Sequence, residues 1–312
     1  MKTLAVAITA AVLAGPAMAQ EARVYPLPDR AAYPEGVTVT PDGRTAYLSS
    51  PNTGVVFAVD LPSGDVREIG DPLGRDPNAP VMSVTLGVKL DGQGRLWFAG
   101  ARTGGMHVVD SRSGDLIAAF TTPDEPALIN DLAIAGDGVY FTDTLRPYLW
   151  RVPLDDPQGG ALEPWLAFEG TALEYGEEPN LNGIAATADG RHLIVVQMNV
   201  GKLFRIDTET RAVIEIDTGG ADLTGGDGLV LDGTRLYVVR QWDAEIVTLD
   251  MDADLTSARV VKRITHPGLA WPATAAIAGD QLIVANSQLN RRSDGNPERP
   301  FSIIAIPLSE LE

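Results

Sequence analysis

The sequence predicts an all-β fold, a six-bladed β-propeller of four-stranded antiparallel blades around a central channel. Three observations carry this prediction. A unit of apolar strand, Gly-containing turn and second apolar strand recurs six times in the 312 residues. The copies repeat every 45–50 residues or so, enough chain for four short strands. Beyond the first twenty residues there is no long 3.6-residue periodicity, so helices are nearly excluded.

The chain opens MKTLAVAITAAVLAGPAMAQ, with Lys2, an apolar run from Leu4 to Leu13, and small residues at Ala17 and Ala19. That layout predicts a cleaved secretory signal peptide over residues 1–19, leaving 20–312 as a single propeller domain. The apolar run is too short to cross a bilayer, and Gly15-Pro16 interrupts it. No Cys follows the expected cut, so no lipid anchor is expected there. A periplasmic or secreted location is the expectation.

The segment ARVYPLP follows and is expected to add a strand to the sixth blade, closing the ring. The six hairpins then read GVTVTPDGRTAYLSS, GVKLDGQGRLWFAG, DLAIAGDGVYFTDT, GIAATADGRHLIVV, GLVLDGTRLYVVR and AAIAGDQLIVANS. Alternating apolar residues joined by Asp-Gly turns are a strong hairpin signal. Third strands such as MHVVDSRSGDLIAAF and KLFRIDTETRAVIEI end in polar turns that lead to a shorter fourth. First strands begin near residues 36, 87, 131, 183, 228 and 273, and no linker separates the third and fourth copies.

The chain holds no cysteine, so its core, and a metal if one is bound, must hold it together without disulfides. Its net charge of −18 argues against nucleic acid or anionic membranes as partners. A small-molecule substrate and a monomeric state are expected.

Aligning the hairpins gives the residue before each first strand: Glu35, Leu86, Asn130, Asn182, Asp227 and Pro272. In a propeller these positions face the axis. Four of the six carry a side-chain oxygen, two as carboxylates and two as amides. A hard, oxygen-only set with charge −2 suits Ca2+. Mg2+, Mn2+ or Zn2+ stay open as alternatives, although Zn2+ ordinarily takes His or Cys.

The motifs PEGV, NDLAIAGDGVYFTDT, LNGIA and GGDGL make the chain resemble the SMP-30/gluconolactonase/LRE-like group of six-bladed propellers, which includes regucalcin-type lactonases. The resemblance implies that Glu35, Asn182 and Asp227 ligate a metal and that Asn130 ligates it or touches substrate. It further implies that Asp227 is the catalytic base or nucleophile. Asp131 is expected to orient Asn130 from behind. The group's sugar lactonases tend to carry an Arg where this chain has Leu128, and Leu86 is apolar, so a less hydroxylated substrate is expected. A weaker likeness to Yellow/royal-jelly-type propellers leaves Glu35, Asn182 and Asp227 unexplained.

Other residues divide by position. His266 and Trp271 precede the sixth blade and are candidates for the channel mouth. Trp97 and Trp150 are expected to pack between blades, and Trp242 to pack or line the pocket. Arg240 and Gln197, near strand ends, are weaker pocket candidates; His107 and His192 look structural. No Gly-x-Ser-x-Gly, phosphate loop or dinucleotide fingerprint is present. The expectation is a Ca2+-dependent hydrolase of a lactone or related ester. The alternative is a non-catalytic propeller that binds a small ligand or protein around a structural cation.

Overall fold

The computed structural model describes residues 21–69, 84–123 and 126–312. The expected signal peptide therefore lies outside the described residues. Among the described residues, twenty-four strands form six antiparallel sheets of four, each a propeller blade, with only two short 3-10 turns as helix.

The innermost strands are β2 (Val37–Val39), β6 (Val88–Leu90), β10 (Ile129–Ala135), β14 (Leu181–Ala186), β18 (Gly226–Asp232) and β22 (Pro272–Ala278). Each packs against the next, and β2 meets β22, so they enclose the axis. Their hairpin partners are β3 (Thr45–Leu48), β7 (Arg95–Ala99), β11 (Gly138–Asp143), β15 (His192–Gln197), β19 (Arg235–Arg240) and β23 (Gln281–Asn286). The sixth blade is completed from the other end of the chain: β1 (Arg23–Pro26), within the ARVYPLP segment, pairs with β24 (Ser302–Pro307). That pairing supplies the outermost strand of the sixth blade from the start of the chain and so closes the ring.

The hairpin turns follow from their residues. In TPDGR, Asp42 accepts hydrogen bonds from Thr40 Oγ1 and the Arg44 amide, and Gly43 takes φ +70°. TADGR repeats this with Asp189, Thr187 and Arg191 around Gly190 at φ +69°. A residue with a Cβ would be strained there.

Six apolar clusters lie one at each junction between neighbouring blades. Trp97 and Trp150 both belong to the junction of blades two and three, as the sequence suggests. Each fully buried large apolar side chain contributes about 1.5–3 kcal/mol. The ring is thus held by its seams rather than by one central core.

The strand register corrects one alignment. In blades three to six a bulge interrupts the inner hairpin, between Ile129/Leu132, Leu181/Ile184, Gly226/Leu229 and Pro272/Ala275. Each bulge begins one residue after its paired residue, at Asn130, Asn182 and Asp227. The equivalent in blade six is Ala273, not Pro272. The bulge is the same in all four blades, and the AIAGD turn shared by blades three and six, at 133–137 and 276–280, also aligns Ala273 with Asn130.

Candidate metal centre and axial cavity

Glu35, Asn130, Asn182 and Asp227 are 4%, 7%, 6% and 3% exposed, and all four line one axial cavity of about 570 Å³. The sequence-predicted set is thus brought together at one end of the channel. Below it runs a tighter ring: Gly36, Gly87, Asp131, Gly183, Gly228 and Thr274. A Cβ on Gly183 would stand 2.1 Å from the Asp227 carbonyl oxygen, and one on Gly228 2.4 Å from Thr274 Oγ1. Glycine at these positions is what lets neighbouring inner strands approach closely enough for their oxygens to converge.

A residue just beyond the second strand holds each of three site side chains. Asn130 Nδ2 donates to Thr144 Oγ1 at 2.9 Å, and Thr144 Oγ1 in turn donates to the Leu181 carbonyl. Asn182 Nδ2 points at Met198 Sδ at 3.3 Å. Gln241 Nε2 donates to Asp227 Oδ2. The tethers engage both amide nitrogens within their own blades. Asn182 Oδ1 and Glu35 Oε2 are left buried without a hydrogen-bond partner. Thr144, Met198 and Gln241 occupy the same position of the repeat, a pattern that the alignment used for the ring could have exposed.

Electrostatics mark the same place. Burial pushes the Glu35 carboxyl well above the usual carboxylate range, and the charges of Asp227 and Asp131 raise it further, with Lys89 opposing. Burial likewise raises Asp227, with Asp131 adding to it and the Asn182 amide working the other way. Orphaned buried oxygens and mutually repelling carboxyls are what a bound cation would relieve. The all-oxygen donor set fits a hard divalent ion such as Ca2+. Among the described residues, no three or more His, Cys, Asp or Glu side chains are grouped to hold a metal. Any such site here depends on the two amide oxygens.

Asp131 lies behind the cavity. Its carboxylate accepts the amides of Leu132 at 2.8 Å and Ile184 at 3.3 Å, and Lys89 Nζ stands 3.9 Å from Oδ1. It pins β10 to β14 through main-chain contacts, whereas the Asn130 amide is held by Thr144. Leu86 and Leu128 line the cavity. His266 and Trp271 do not line it: His266 Nδ1 accepts the Gly268 amide, and the Trp271 carbonyl accepts Ser287 Oγ. Trp242 does, its indole lying over Gly225. Arg240 is buried among Asp222, Asp243 and Glu245, and Gln197 bonds Asn180 and the Glu174 carbonyl, so both are structural. Arg102 and Arg292, which sequence reasoning missed, stand at the cavity wall.

No protein-family model and no curated protein matches the chain. Among solved structures it is similar to the calcium-binding protein regucalcin from Agrobacterium tumefaciens, at 17% identity and TM-score 0.61, covering 87% of this chain and 89% of that one. It is also similar to virginiamycin B lyase from Staphylococcus aureus, at 13% identity and TM-score 0.59, over 91% and 98%. The Malassezia sympodialis allergen Mala s 1 aligns at 13% identity and TM-score 0.67, over 93% and 96%. At these identities the likeness establishes the propeller fold.

Proposed function

We propose that the chain is a divalent-cation-dependent hydrolase of a lactone or related ester, acting outside the cytoplasm. The observation that carries this reading is the convergence of four buried oxygen-bearing side chains on the floor of an open cavity of about 570 Å³. A purely structural ion would need no such vestibule above it. The virginiamycin B lyase likeness supports an enzymatic propeller, and the calcium-binding regucalcin likeness supports the choice of Ca2+.

Glu35, Asn130, Asn182 and Asp227 would hold the cation. When bound, the cation supplies Lewis-acid polarisation of the substrate carbonyl and stabilises the negative charge that develops there. Asp227 accepts a proton from the attacking water, as general base. Gln241 holds Oδ2 of that carboxylate, which leaves Oδ1 for the proton and fixes its direction. Thr144 and Met198 keep the amide oxygens of Asn130 and Asn182 turned inward by engaging their nitrogens. Leu86, Leu128 and Trp242 exclude water from the substrate's apolar part.

A pH-indicator screen of lactones and aryl esters tests the proposal, run on wild type and Asp227→Asn with Ca2+ and with EDTA. Turnover that requires Ca2+ and is lost in the variant supports it. Turnover that survives EDTA or the substitution contradicts it, as does its absence across the whole screen.

A further inference from the structure

Among the described residues, the two cationic side chains lining the cavity stand on one side of it. Arg102 follows β7 in blade two and Arg292 follows β23 in blade six, so the two guanidiniums flank blade one. Both are exposed. Arg292 Nη2 donates to the Pro51 carbonyl of blade one at 3.2 Å, which draws its guanidinium toward that blade. Among the described residues Arg102 forms no ion pair and no side-chain hydrogen bond. Blades three, four and five supply an apolar arc of Leu128, Pro179, Met198 and Trp242. Among the described residues, the only carboxylates lining the cavity are Glu35 and Asp227.

The chain carries 42 acidic and 24 basic residues, so two arginines at one mouth with no carboxylate partner among the described residues run against its general charge. Guanidinium is the group that best matches a carboxylate, through paired N–H donors. A cationic rim on an acidic protein also concentrates anions at an entrance they would otherwise avoid.

We propose that the substrate is amphipathic and anionic: an aliphatic lactone or ester with a carboxylate away from its reacting carbonyl. The aliphatic part lies on Leu128, Met198 and Trp242, and the carboxylate meets Arg102 and Arg292. This deepens the hydrolase reading and rests on it for the reacting group, but the recognition itself is measurable without turnover.

The test titrates octanoate and 1-octanol into the protein, read by tryptophan fluorescence with Trp242→Phe as control, in Ca2+ and in EDTA. Octanoate is expected to bind about tenfold more tightly than octanol, the worth of one charge-assisted contact. That advantage is expected to shrink in high salt and to vanish in Arg102→Gln/Arg292→Gln, while octanol binding is kept. Equal binding of the two ligands overturns the proposal, as does an advantage that persists in the double variant. An advantage lost in EDTA but kept in the double variant would put the carboxylate on the cavity floor, and overturns it too. If the hydrolysis screen fails while the arginine dependence holds, the hydrolase reading falls and the recognition of an amphipathic anion stands.

Discussion

Gln241 Nε2 donates to Oδ2 of Asp227, across the inner hairpin of blade five and fourteen positions along the chain. The same geometry joins Asn130 to Thr144 in blade three. In blades three and five the site side chain is therefore aimed by a residue just beyond the second strand of its own blade. Gln241→Leu leaves a buried carboxylate oxygen unpartnered, so it should cost about 1–3 kcal/mol of stability. It should also weaken Ca2+ binding by roughly 10–100-fold, the usual effect of losing a residue that orients a ligand. Denaturant melts and Ca2+ titration of the variant check both figures.

Asp227→Asn and Glu35→Gln should reverse their order of stability with the cation. Burial and mutual repulsion raise both carboxyls in the folded protein. Their contribution to metal-free stability is therefore fully present below the unfolded carboxylate range near pH 4, and is lost as pH rises through the raised folded values. In EDTA at neutral pH either variant should melt at or above wild type. With Ca2+ the wild type should gain stability that the variants do not, and its gain should grow with pH as the ligands lose their protons. Thermal melts across pH, with and without Ca2+, show both trends.

Lys89 stands 3.9 Å from Asp131 and opposes the upward shift of Glu35. Lys89→Met should lower the melting temperature of the metal-free protein, because the carboxylates lose their counter-charge. It should tighten Ca2+ binding by about threefold or more, because a positive charge near the ion is removed. Adding Asp131→Asn should restore part of the metal-free stability, which a double-mutant cycle measures.

His107 is buried in blade two, and burial lowers its pKa from 6.5 to about 4. The unfolded chain then binds a proton that the folded one refuses between those values. Stability is thus lost as pH falls from about 6.5 toward 4, by about 3 kcal/mol from this residue. Comparing urea denaturation of wild type and His107→Gln at neutral and acid pH should show the smaller acid loss in the variant.

Gly183→Ala places a methyl 2.1 Å from the Asp227 carbonyl oxygen. The neighbouring inner strands must then part, at a cost of about 1–3 kcal/mol or more. Ca2+ binding should weaken with it. Gly233→Ala meets nothing within 4 Å but carries φ +58°, so it should cost stability from backbone strain while leaving Ca2+ binding intact.

The blades were legible because a hairpin advertises itself twice, in alternating apolar residues and in Asp-Gly turns such as that at Asp42-Gly43. The convergence of Glu35, Asn130, Asn182 and Asp227 was legible for a related reason: polar residues recur where a buried strand begins, and a repeat superimposes them. Ala273 was misplaced because the entrance of blade six lacks the oxygen-bearing side chain that marks blades one, three, four and five. Gln241 and Met198 were not seen because each differs in kind from Thr144, although all three do one job at one position. The cavity wall was the least legible part. Arg102 and Arg292 sit in loops of unequal length, where no period relates one blade to the next, and His266 and Trp271 look equally suitable in sequence but do not line the cavity.

The most direct measurement is calorimetric titration of Ca2+ into EDTA-stripped protein, alongside Glu35→Gln, Asp227→Asn and the exposed turn variant Asp189→Asn. One site per chain is predicted in wild type and in Asp189→Asn, and loss of that site in the other two. Absence of binding in wild type, or unchanged binding in Glu35→Gln and Asp227→Asn, would contradict the assignment of the axial oxygens as a cation site.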